Sequence, residues 1–199
     1  MRSVAVFTDT YLPTVNGVTY TVKTWRERWQ ARGGRMDVVY PDSDHDAGTG
    51  EFPVRALPFP FYEGFRVGVP RAPRAVRNVD LVHAHTPCAL GLAGRRLASK
   101  RDLPLVASYH TPTAEYADYL AGGPVADVVE RAATVYERWY LNRVDSVVVP
   151  SEPARAHLRE DVGVLRGWGV VGGHQREVAL GGETPAGEAQ RKGGVGMDQ

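Results

Sequence analysis

A chain of 199 residues, 43% hydrophobic and 24% charged, has the balance of a soluble globular protein, with room for one domain of ordinary size and a tail. A net charge of +1 gives no global case for binding nucleic acid or membrane, so any such case must be local. One cysteine, Cys88, excludes an intramolecular disulfide and a cysteine-based zinc site, which suits a reducing cytoplasm.

The N-terminal run Met1 to Phe7 is too short for a signal peptide and is cut off by Asp9. No stretch reaches the roughly 18 apolar residues of a spanning helix, so the chain is expected to be soluble or to lie on a membrane surface. Ser3 to Thr8 is β-branched and aromatic and reads as a first strand. A loop with Pro13 and Asn16-Gly17 follows. Val18, Val22, Trp25 and Trp29 then fall on one helical face, and Gly33-Gly34 ends that helix. Met36 to Tyr40 reads as a second strand, completing a parallel, right-handed βαβ unit.

Pro41 to Gly50 is an acidic, solvated loop. Asp80 to His85 reads as a strand, Ala89 to Lys100 as a helix and Leu103 to Ser108 as a buried strand. After Gly122-Gly123-Pro124, a long helix carries Val125, Val128, Ala132, Val135 and Trp139 on the stripe expected to face the core. Arg143 to Pro150 reads as a last strand, and Ser151 caps a helix with Pro153 in its first turn. Strands alternating with helices predict an α/β fold, a Rossmann-like parallel sheet with helices on both faces, over residues 1–164. From Leu165 to Gln199, ten of 35 residues are glycine and no extended apolar period survives, so residues 165–199 are expected to be disordered or loosely attached.

Ligands of open α/β sheets collect beyond the carboxyl ends of the strands. Tyr109, His110 and Thr111 sit where the strand from Leu103 stops, making His110 a candidate to hydrogen-bond a substrate; a surface histidine in a turn is the alternative. Gly17 at a helix start suits a phosphate, or is a plain turn glycine; the Gly-x-Gly-x-x-Gly fingerprint is absent. His83 and His85 share a strand face, but Asp80 is out of phase as a further metal ligand. One of the two is therefore expected to pack in the structure while His85 reaches the cleft rim. Between Pro53 and Arg77, aromatic residues interleave with Arg55, Arg66, Arg71, Arg74 and Arg77, and Glu63 is the only acid. This is a solvated loop and a helix with an arginine face, or a small basic, apolar surface for anionic lipid headgroups.

Four segments, in order, carry a resemblance: Thr8 to Val18, Asp80 to Pro87, Tyr109-His110-Thr111 and Val147 to Glu152. Together they resemble the N-terminal half of family 4 glycosyltransferases, the GT-B fold group that includes lipid mannosyl- and glucosyltransferases. The resemblance spans Arg2 to Val164 and makes residues 1–164 an acceptor-binding domain, one half of a GT-B fold.

It implies transfer of a hexose from a nucleotide-sugar donor to a lipid or glycan acceptor, with retention and without a metal or other cofactor. His110 is the implied catalytic contact to the transferred sugar. Asp9, Tyr11, Asn16, Gly17, His85, Tyr109 and Thr111 are the implied substrate-binding residues, with Gly17 at the donor diphosphate. Arg55, Phe59, Phe61, Tyr62, Phe65 and Arg66 form the expected membrane or acceptor surface. The family's second, donor-binding domain is missing, and the text after Val164 is what a frameshift or premature end leaves. The chain is therefore expected to be inactive alone, in the cytoplasm or peripheral on the inner face of the cell membrane, with no nucleic-acid partner. Two rivals are a non-catalytic subunit that recruits a separate donor-binding subunit, and an unrelated small α/β enzyme using His85 and His110.

Overall fold

The computed structural model describes residues 2–59, 66–110, 124–160, 162–164 and 168–170. In chain order these form β1 (Ser3–Phe7), α1 (Gly17–Ala31), β2 (Arg35–Pro41), β3 (Glu51–Val54), β4 (Ala56–Pro58) and β5 (Arg66–Gly68). A 3-10 turn (Arg74–Arg77), β6 (Leu81–Ala84), α2 (Ala89–Arg101) and β7 (Leu105–Ser108) follow. Then come α3 (Pro124–Leu141), β8 (Ser146–Val149), α4 (Glu152–Glu160) and β9 (Trp168–Val170). Seven strands build one sheet in the order β3-β2-β1-β6-β7-β8-β9, and every neighbouring pair is parallel. Strands β4 and β5 pair antiparallel as a separate hairpin.

Successive side chains of a strand point to opposite faces, so a strand covered on both sides must be apolar throughout. In β1, Val4 and Val6 pack under Val22 of α1 with Met36 and Val38, and Trp25 and Trp29 lie against them. Ala5 and Phe7 face the other way, into a larger core with Leu90 and Leu97 of α2, Tyr140 and Leu141 of α3 and Leu158 of α4. The chain steps one way from β1 to β2 and the opposite way from β6 to β9, so right-handed crossovers put α1 and the later helices on opposite faces. Each fully buried Val, Leu or Phe contributes about 1.5–3 kcal/mol relative to exposure. Gly94 lets α2 lie close to the sheet, because a Cβ there would come within 2.9 Å of the Phe7 ring.

The helix ends follow local chemistry. The Asn16 side chain caps α1 by accepting from Thr19 N at 2.9 Å, and Gly33 follows the helix at φ 75°. Ser151 Oγ accepts from Ala154 N at 3.4 Å at the start of α4.

Three expectations are corrected. The stripe on α3 faces outward: Val128 and Val135 are 66% and 67% exposed, and Trp139 is 38% exposed. Tyr140, Leu141 and Glu137 are the buried side instead, because Tyr140 both fills the core and donates from its hydroxyl to Gly91 O at 3.0 Å. Residues 53–77 hold the end of an edge strand, a hairpin and a 3-10 turn rather than one loop and a helix. Pro53 is tolerated there because β3 is the sheet's edge. Finally, β9 carries the sheet past Val164, pairing Trp168 to Val170 with Val147 to Val149; residues 171–199 lie outside the described residues.

Candidate functional site

The order of the sheet places its switch point between β1 and β6. The loop leaving β1 runs to α1 on one face, and the loop leaving β6 runs to α2 on the other. The two diverge at the carboxyl edge, where such sheets open a crevice for ligands. Asp9, Asn16 and Gly17 come from the first loop, His85 and Thr86 from the second, and His110 follows β7.

At this edge three histidines and a tryptophan form one stack. The Trp25 ring stacks on His83 at 5.3 Å and meets His85 edge-on at 5.7 Å. His83 and His85 lie 5.4 Å apart, and His85 and His110 4.4 Å apart. His83 shares a 2.8 Å hydrogen bond between Nε2 and Ser108 Oγ. His85 is only 1% exposed, so it lies beneath the cleft rather than at its rim. Both of its ring nitrogens, and Nε2 of His110, are buried with no hydrogen-bond partner among the described residues. Burial, then His110, depresses the pKa of His83 to about 4, and burial, then His83 and His110, holds that of His85 well below the usual range. Burial alone lowers His110. All three are neutral near pH 7, each with one N–H and one lone pair. Among the described residues, no group of three His, Cys, Asp or Glu side chains is placed to hold a metal ion.

Other expected site residues are already engaged. Asp9 accepts from Thr86 Oγ1 at 2.6 Å and from Leu90 N at 3.1 Å, capping the start of α2 from another element. Burial raises its pKa despite hydrogen bonds from Thr86, Leu90 and Gly91. Tyr11 does not line the crevice: it is 4% exposed, packs on Tyr40 at 4.9 Å and donates to Glu51 Oε1 at 3.0 Å. Asn16 spends its oxygen on the α1 cap and its Nδ2 on Thr10 Oγ1 at 3.1 Å. The ring of Tyr109 belongs to the larger core, 6.4 Å from the His157 ring. In this structure packing and caps hold the side chains of these four residues. Gly17 is exposed at the first position of α1, and a Cβ there would meet nothing within 4 Å.

A charged network lies behind the first loop. Glu51 accepts from Arg26 Nη1 at 2.6 Å, Tyr11 Oη at 3.0 Å and Gly48 N at 2.9 Å, and pairs with His45 Nε2 at 2.8 Å. Arg26 also donates to the carbonyls of Met36 and Thr49. Burial pushes the Glu51 carboxyl up, but hydrogen bonds from Gly48, His45 and Tyr11 and the Arg26 charge hold it below its ordinary range. The network ties the β1–α1 loop to the start of β3. Its only sequence signal is the polar face of α1, which names no partner.

In the arginine-rich stretch, Arg66 Nη2 donates to Ala56 O at 3.3 Å across the hairpin, Phe59 is half-buried, and Arg55 is exposed. Phe61, Tyr62, Phe65 and Thr111 lie outside the described residues.

The fold is shared with solved structures. Sucrose-phosphate synthase from Thermosynechococcus elongatus superposes with a TM-score of 0.59 at 16% identity, over 86% of this chain and 48% of that one. A second structure of the same enzyme matches with a TM-score of 0.54 and 16% identity over 87% of this chain and 90% of its own. The fold is one half of the GT-B architecture. The profile described as Glycosyltransferase Family 4 matches residues 15–167, and the chain belongs to that family. A GDP-mannose-dependent α-mannosyltransferase of Mycolicibacterium smegmatis is 31% identical over 169 residues, 78% of this chain and 44% of that protein. An α-monoglucosyldiacylglycerol synthase of Streptococcus pneumoniae is 27% identical over 166 residues, 79% of this chain and 37% of that protein. The chain thus spans about two fifths of the length of these relatives.

Proposed function

We propose that this chain is the acceptor-side half of a retaining glycosyltransferase that moves a hexose from a nucleotide sugar to a membrane lipid, and that it does not turn over alone. The observation that carries this reading is the His85–His110 pair, its rings 4.4 Å apart at the carboxyl ends of β6 and β7. A buried polar atom without a partner costs about 1–3 kcal/mol, and sugar hydroxyls satisfy a neutral imidazole as donors or acceptors. In this reading His110 bonds the transferred sugar and His85 forms the floor beneath it. Gly17 leaves the start of α1 open for the donor diphosphate. Catalysis then rests on positioning and on stabilising developing charge, with the donor as a substrate and no metal required. The donor nucleotide is held by a further domain.

Relatives named for GDP-mannose and for a glucosyldiacylglycerol product support a nucleotide-sugar donor and a lipid acceptor. The expected position is the cytoplasmic face of the cell membrane. The test is transfer of label from GDP-mannose or UDP-glucose to diacylglycerol and to total membrane lipid. We expect no product from the chain alone, and product when the donor-binding half of a family 4 enzyme is added, lost in His110→Ala. Robust turnover by the chain alone overturns the inactivity.

A second reading, a non-catalytic subunit that recruits a donor-binding partner, draws support from the exposed apolar residues Val128, Val135 and Trp139 on α3. A nucleotide-sugar-binding polypeptide that co-purifies from the native cell upholds it. A chain that purifies as a lone monomer counts against it.

A further inference from the structure

We propose that the outward face of α3 docks an amphipathic helix of a partner protein, one whose apolar stripe is bordered by carboxylates. In the sequence, Val125, Val128, Ala132, Val135 and Trp139 recur at alternating spacings of three and four residues, the period of a seam between two packed helices. The structure leaves Val128, Ala132, Val135 and Trp139 exposed along that seam. The helical period places Glu130 and Glu137 on the far side, and Glu137 is buried there. Arg131 and Arg138 border the seam, and both are exposed.

The face is built before a partner arrives. Tyr136 donates to Pro87 O and Tyr140 to Gly91 O at 3.0 Å, fixing α3 to α2 by its inner side. Arg95 of α2 and Arg143 lie over the Trp139 ring, 4.6 Å and 5.0 Å from its centre, and Arg143 also donates to Trp139 O at 2.8 Å. Tryptophan and arginine anchor interfaces most often, and side chains already ordered lose little freedom on binding. Charge then selects the partner. Arg95, Arg131, Arg138 and Arg143 pair with no carboxylate among the described residues, whereas Arg26, Arg35 and Arg155 each meet one. The neighbouring α2 has no acidic residue to neutralise them. Glutamates beside a partner's stripe would meet Arg131 and Arg138 as oppositely charged border residues do between paired helices. A second copy of α3 would bring those arginines to arginines, or to Val129 and Tyr136, with no carboxylate to meet. A stripe this narrow, edged by arginine, fits a helical seam, where a helix lying in a membrane surface presents a broad apolar face. The inference needs neither sugar transfer nor a partner that binds nucleotide sugar, so it stands or falls apart from both functional readings above.

The experiment titrates the full chain into two labelled synthetic helices and follows fluorescence anisotropy. Both helices carry leucine along the seam; one has glutamate at the bordering positions and the other lysine. The glutamate helix should bind about tenfold more tightly than the lysine helix. Arg131→Glu/Arg138→Glu should reverse that order, and Val135→Ser, an exposed change, should weaken glutamate-helix binding about tenfold. Should the double variant fail to fold, Arg131→Glu alone is expected to shrink the preference about threefold. The control Arg28→Gln/Arg32→Gln at the end of α1 should bind both helices as the parent does. No binding, equal binding of the two helices, or a preference that survives the charge reversal overturns the proposal. Sedimentation velocity of the chain alone should show a monomer, and a dimer that Val135→Ser dissociates overturns the proposal in favour of a second copy. Binding to phosphatidylglycerol vesicles that Val135→Ser abolishes overturns it in favour of a membrane.

Discussion

Asp9 and Thr86 meet at 2.6 Å across the switch point of the sheet, and the same carboxylate accepts from Leu90 N. Cys88, at the N-cap position of α2, makes no side-chain capping bond, so Asp9 supplies the cap from the end of β1. Asp9→Ala should therefore lower the unfolding free energy by about 2 kcal/mol, the cost of a lost cap and an orphaned helix N–H. Asp9→Asn, which keeps an acceptor for Leu90 N, should cost less. Urea unfolding of both variants checks this. An Asp9→Ala chain as stable as the parent would return Asp9 to the substrate contacts.

The Arg26–Glu51 pair predicts a second effect. Both side chains are largely buried, 16% and 7% exposed, and Glu51→Ala leaves the guanidinium without its carboxylate. The expected loss is about 3–5 kcal/mol. Tyr11→Phe removes one hydrogen bond to a charged acceptor and should cost about 1.5–3 kcal/mol. Because both changes act on Glu51, their effects should not add, and a double-mutant cycle measures the coupling.

Acid should destabilise the protein in two steps. The depressed value of His83, about 4 against 6.5 unfolded, means the unfolded chain takes up a proton first. Stability is intact above pH 6.5 and falls as pH drops toward 4, by on the order of 3 kcal/mol for this group alone. Glu51, held below its unfolded value of 4.5, contributes stability that is lost only below that pH. Urea midpoints compared at pH 7.5 and pH 5 should fall for the parent and fall less for His83→Gln, which does not titrate. An unchanged slope in that variant would remove His83 from the account.

His85 makes an opposite prediction. With both ring nitrogens unpartnered and buried, the imidazole is a cost in the free protein. His85→Leu should be as stable as the parent or about 1 kcal/mol more stable, while acceptor-dependent transfer in the reassembled enzyme is lost. A drop in the thermal midpoint would instead make His85 a packing residue.

Gly91 tests the closeness of α2 to the β6 loop. A Cβ there would lie 2.0 Å from Thr86 O, a backbone atom, and 3.2 Å from the Tyr140 hydroxyl. Gly91→Ala should cost roughly 2–3 kcal/mol as the loop shifts, read as a lowered urea midpoint.

The central strands and the helices were legible in the sequence because their cause is local, whereas β3, the β4–β5 hairpin and β9 were not. Val4-Ala5-Val6-Phe7 must be buried on both faces, and Val18, Val22, Trp25 and Trp29 repeat at the helical period. The order of the loop motifs was enough for the family, and His85 and His110 stood out because they follow strands. What tertiary structure alone decided is which of several plausible partners each side chain meets. On α3, apolar residues occur on more than one face, and the face with Tyr140 won by filling the core and reaching Gly91 O. Asp9, Tyr11 and Asn16 look like free polar groups in the sequence, yet Thr86, Glu51 and Thr10 claim them. Such pairings join residues far apart in the chain. They are set by sheet order and loop path, and no periodicity or composition records those.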